Sequence, residues 1–137
     1  MNNQASVKVQ ASPEKVFSIY RKVSEWPLWD PELLEAGLEG PFAAGSTGVL
    51  RPKRGPAVRF RLVQVSAPYA FVSESALPFC AMRVEHYIEE CEGGCEIVHR
   101  VTFSGPLGFL FRRILGPSVV RGFAPALAGL KGAVESG

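Results

Sequence analysis

The chain has 137 residues, 47% of them apolar and 20% charged, with a formal net charge of +2, enough for one soluble domain over residues 1–137 that buries roughly two thirds of its unfolded surface. The 14 glycines and 11 prolines call for many turns without reaching a disordered composition; no stretch approaches the roughly 18 apolar residues of a membrane span, and so weak a charge gives no ground for nucleic acid as a partner. The N-terminal MNNQASVKVQASPEKV lacks a signal peptide's apolar core, so Cys80, Cys91 and Cys95 are expected as reduced thiols in the cytoplasm.

SVKVQ alternates, with Val7 and Val9 on one face of a short strand. Ser12 is a good N-cap, Pro13 suits the first helical position and Glu14 complements the dipole. Val16, Ile19, Tyr20 and Val23 recur at helical spacing, which predicts a helix over 13–22. Ser24 and Glu25 can restart a short helix, but Pro27 and Pro31 prevent a long one.

Strands then dominate. LLEAGLEG and STGVLRP flank the turn PFAAG, and AVRFRLVQVSAP sets Val58, Phe60 and Leu62 against Arg59 and Arg61. AFVSESALP is shorter and more polar. The clearest hairpin joins CAMRVEHYIEEC to GCEIVHRVTFSG, with Met82, Val84, His86 and Ile88 on one face and Ile97, His99, Val101 and Phe103 matching them. With Gly93-Gly94 as the two-residue loop, Ile88 faces His99 and His86 faces Val101.

After Gly105-Pro106 the spacing turns helical. Leu107, Leu110, Phe111, Ile114 and Leu115 form one stripe, and Phe123, Leu127, Leu130 and Val134 another, roughly 150° away. Gly116-Pro117 lies between them and predicts two helical segments meeting at a bend near 116–118, with a milder kink at Pro125. The outcome is an α+β chain: a curved antiparallel sheet of six to seven strands around a long C-terminal helix, with a gap between the layers.

ASPEKVF, EWPLWDP, LPFCAMRVEH and HRVTFSGPLGFLFRRILG occur in an order by which the chain resembles the START-like, helix-grip (SRPBCC) superfamily, in its polyketide cyclase/dehydrase-like branch. The resemblance implies an apolar cavity between sheet and last helix that holds a hydrophobic small molecule. It also implies that Trp26 and Trp29 seal one end of the sheet, with Pro27 and Pro31 keeping their segment short.

The expected ligand wall comprises Trp29, Phe60, Leu62, Met82 and Val84, then Ile88, Val101, Phe103, Phe123 and Leu127, with Gly122 and Gly129 leaving room on the helix. Binding a lipid, aromatic or polyketide-like compound is the leading reading. His86 and His99, diagonal neighbours on the apolar face, are structural, hydrogen-bond a ligand, or act as the catalytic pair of a cyclase or dehydratase. A protein-interaction module is the third reading, drawn from Arg51, Lys53, Arg54, Arg59 and Arg61, which otherwise form a solvated outer face. No cofactor is expected, and no metal: Cys91 and Cys95 point to opposite faces of the hairpin, so with His86 and His99 they cannot converge. Asp30, the only aspartate, is placed to cap a turn, while the strand of Glu74 leaves its face open.

Overall fold

The computed structural model describes residues 3–136. Strand β1 (Gln4–Val9) leads to helix α1 (Pro13–Tyr20) and a 3₁₀ turn over Val23–Leu28. Strands β2 (Leu33–Glu39), β3 (Thr47–Pro52), β4 (Val58–Ser66), β5 (Ala70–Leu77), β6 (Cys80–Cys91) and β7 (Gly94–Ser104) follow, then helix α2 (Gly108–Glu135). All seven strands form one antiparallel sheet in the order β1-β7-β6-β5-β4-β3-β2. Every pairing joins chain neighbours except that of β1 with β7. α2 lies across that pair, giving the α+β helix-grip arrangement that the resemblance implies.

Local chemistry sets the helix starts. Ser12 Oγ accepts the backbone N–H of Lys15 at 3.2 Å, and Pro13 occupies the first turn. Val16, Phe17 and Tyr20 are buried on the inner face of α1. The helix ends at Tyr20, two residues earlier than expected, and the chain resumes as a 3₁₀ turn with Pro27 inside it.

The β6–β7 hairpin corrects one expectation. Cys91 pairs with Gly94, so Glu92 and Gly93 make the turn. The register therefore differs by two residues from that of a Gly93-Gly94 loop: His86 faces His99 directly, and Ile88 faces Ile97. An even shift leaves every side chain on its expected face. The two glycines serve separate ends. Gly93, at φ +82°, takes the left-handed position of the turn, whereas a Cβ on Gly94 would run into the Val9 carbonyl of β1.

α2 corrects another. It is one continuous element of 28 residues with Pro117 and Pro125 inside it, not two segments; each proline removes one hydrogen bond while the rest of the ladder continues. Phe123, Leu127, Leu130 and Val134 are buried against the sheet. The earlier stripe is only partly covered: Leu107, Phe111 and Leu115 are half-buried, whereas Leu110 and Ile114 are exposed.

Candidate functional site

The layers part over the middle of the sheet, leaving a cavity of about 260 Å³. Tyr20 from α1, Trp26 from the 3₁₀ turn and Trp29 just after it close one side. Phe60, Phe71, Ser73, Met82 and Val84 form the floor, and Val119, Gly122, Phe123 and Ala126 of α2 the roof. Asp30, Glu32 and Leu33 complete the wall where β2 begins, with Leu50 and Val58 beside them. No lysine or arginine contributes to this lining.

Both histidines reach the cavity. The His86 ring stacks on Phe71, with centroids 3.9 Å apart and planes within 7°. Its Nδ1 lies 3.3 Å from the Phe71 carbonyl; a carbonyl only accepts, so Nδ1 carries the proton and a neutral His86 has its Nε2 lone pair free to accept. His99 Nε2 lies 2.7 Å from the Tyr20 hydroxyl. The two imidazoles meet edge to face at 4.7 Å.

Burial lowers the His86 pKa from 6.5 to about 4, outweighing the Phe71 hydrogen bond and the charge of Glu85. Burial also takes His99 well below the usual imidazole value, and neighbouring His86 pushes the same way. Tyr20 is raised, again by burial first. All three are therefore neutral near pH 7. Asp30 is raised by burial against the opposing backbone hydrogen bond from Glu32; its Oδ1 accepts that N–H at 3.0 Å, the turn-capping role expected of it.

Trp26 donates from Nε1 to the Tyr20 carbonyl at 3.0 Å and stacks on Phe60 at 6.1 Å. Trp29 packs beside it at 6.3 Å, with its buried Nε1 lacking a hydrogen-bond partner.

Of the residues expected at a ligand wall, Trp29, Phe60, Met82, Val84 and Phe123 line the cavity. Leu62, Ile88, Val101 and Leu127 do not: they are buried in the packed core. Phe103, also outside the lining, packs partly buried against that core. Strand alternation assigned their face, but layer separation decides which inward residues meet a void. Gly122 borders the cavity with nothing within 4 Å of a Cβ built on it. Gly129 is different, because Trp29 backbone already occupies the room it leaves.

Sequence reasoning placed Tyr20 on a core face without its hydroxyl contact, and missed Phe71, the cross-strand partner of His86. The AFVSES alternation could have found Phe71 once β5 was aligned with β6. Glu74 turns outward and pairs with Arg83 at 2.8 Å. On the same outer face, Arg100 grips Glu85 through two hydrogen bonds of 2.9 Å and Tyr87 donates to it; Arg100 holds that carboxyl below its usual range. Cys91 is exposed, whereas Cys95 is buried with its thiol toward the Ala11 carbonyl. Among the described residues, no group of three or more His, Cys, Asp or Glu side chains is placed to hold a metal.

The family model described as polyketide cyclase / dehydrase and lipid transport matches residues 3–135. No curated protein matches the chain. Among solved structures it is similar to Ara h 8.0201, with 15% identity and a TM-score of 0.78 over 98% of this chain and 97% of that one. A protein from Thermobifida fusca is 22% identical, with a TM-score of 0.70 over 97% and 94%. The di-domain ARO/CYC StfQ of the steffimycin biosynthetic pathway is 14% identical, with a TM-score of 0.74; the match covers 93% of this chain but only 48% of StfQ, about half its length. At such identities these likenesses speak for the fold alone.

Proposed function

The chain belongs to the polyketide cyclase/dehydrase and lipid transport family, and within it we propose that this protein binds an uncharged hydrophobic small molecule in the cavity under α2. The observation that carries the reading is the wall itself: mostly aromatic and aliphatic, with two neutral imidazoles, Ser73, the carboxyls of Asp30 and Glu32 at the start of β2, and no cation. A carboxylate inside would find no lysine or arginine and would face Asp30 and Glu32, and a buried unpaired charge is costly. An engineered cavity of about 150 Å³ takes up benzene, so 260 Å³ suits a compact aromatic of about two rings. This volume lies just below the roughly 300 Å³ at which ligand pockets commonly begin, which argues against long acyl chains. Cytoplasmic residence is part of the proposal, in keeping with three free cysteines.

Native mass spectrometry of the purified protein and calorimetry with a matched pair, 2-acetylnaphthalene and 2-naphthoate, test the reading. We expect uptake of the ketone at least roughly tenfold tighter than the carboxylate, since an unpaired buried charge costs several kcal/mol, and loss of uptake in Gly122→Leu. No co-purifying mass and no uptake of any uncharged one- to three-ring probe would overturn it.

The Tyr20–His99 contact favours a second reading, a cyclase or dehydratase in which His86 and His99 move a proton. An imidazole of pKa about 4 is a poor base near pH 7, so binding is the stronger reading. The enzymatic one requires native turnover of a poly-β-ketone that disappears in His86→Phe/His99→Phe.

A further inference from the structure

The outward side of the first half of α2 is apolar and basic together. Phe109, Leu110 and Ile114 are 60%, 38% and 61% exposed. Phe79, in the β5–β6 turn, is 75% exposed at φ +53° and is tied to this helix by a 3.0 Å hydrogen bond from the Leu107 N–H to its carbonyl. Arg112, Arg113 and Arg121 are exposed, and none has an ion-pair partner among the described residues. No acidic residue occurs from Gly105 to Val134. At 100° per residue, Leu110, Arg113, Ile114 and Arg121 fall within an arc of about 100°, with Phe109 about 40° beyond Arg113, whereas Arg112 projects on the opposite side of the helix.

We propose that this face docks on the surface of a bilayer containing anionic phospholipid. Large apolar side chains standing free in water gain by entering the interfacial region, and arginines among them reach lipid phosphates while their stems follow the apolar surface. Unpaired cations with no intervening acid complement a negative leaflet. The mode is peripheral: among the described residues, no helix is long and apolar enough to span a membrane. Val119 and Gly122, a turn or two further along α2, line the cavity, so docking sets the cavity roof close to the lipid. That consequence rests on the binding reading above; the docking does not.

Co-sedimentation with vesicles tests it, comparing phosphatidylcholine alone with phosphatidylcholine mixed with phosphatidylglycerol. The full chain is expected to partition onto the mixed vesicles, less so as salt rises, and weakly onto phosphatidylcholine. Arg113→Gln/Arg121→Gln is expected to lower partitioning roughly thirtyfold, at about 1 kcal/mol per arginine, and Phe109→Ser/Ile114→Ser to lower it as well, with both variants still taking up 2-acetylnaphthalene. Gly122→Leu should lose that uptake and keep its vesicle partitioning, so the two readings fail separately. No partitioning of the native chain, or equal partitioning onto both vesicles by it and both variants, would overturn the proposal. So would a concentration-dependent dimer in ultracentrifugation that Phe109→Ser/Ile114→Ser abolishes without any vesicle binding, since the face would then be a self-association surface.

Discussion

His86 and His99 carry opposing demands, because a polar ring in an apolar wall is tolerated only while uncharged and hydrogen-bonded. Their folded pKa values lie below the unfolded value of about 6.5. Between the two, the unfolded chain binds more protons than the folded one, so stability rises with pH. It is complete above about pH 6.5 and is lost as pH falls toward about 4. For His86 alone the change is about 3 kcal/mol. Asp30, raised by burial, works in the opposite direction, so the comparison must be with a variant. Urea midpoints at pH 7 and pH 5 should fall further apart in the native protein than in His86→Phe; equal falls would defeat the prediction. Alternation alone placed both rings on the inner face. Their direct opposition follows from the Glu92-Gly93 turn, beside which Gly94 passes close to the Val9 carbonyl, a contact between residues distant in sequence.

At the scale of elements, α2 contains two glycines of opposite character. Gly122 faces open space, so Gly122→Ala should raise stability by about 0.4–1 kcal/mol through helix propensity and a less flexible unfolded chain. A Cβ on Gly129 would lie 2.9 Å from the Trp29 carbonyl carbon and closer still to its oxygen, so Gly129→Ala should cost about 1–3 kcal/mol. Thermal or chemical denaturation of the two variants separates them by sign. The sequence treats these residues alike, since both are glycines at helical spacing. The strands were more legible: β2 through β7 fall where alternation and turn residues put them, because each must bury one face and wet the other. The irregularity between Leu62 and Gln64, where β4 shifts register against β5, leaves no such mark. Leu107, Leu110, Phe111, Ile114 and Leu115 share one stripe, yet only Leu107, Phe111 and Leu115 are half-buried while Leu110 and Ile114 are exposed: periodicity tells which residues share a side, and what lies opposite decides whether that side is covered.

For the whole molecule, the order of elements announced a sheet around a terminal helix and a space between them. The position of that space along the layers was not legible. Ile88 and Val101 share a face with Met82 and Val84, but core closes over the first pair while the second meets the cavity. Separation depends on sheet curvature and on where α1 and the 3₁₀ turn wedge the layers apart, and no local pattern encodes either. The same wedge has a further consequence. Trp26 and Trp29 are the chain's two tryptophans, and both stand in the cavity wall. Every indole therefore borders the room a guest would take, so the ultraviolet emission of the unlabelled protein is itself a gauge of occupancy.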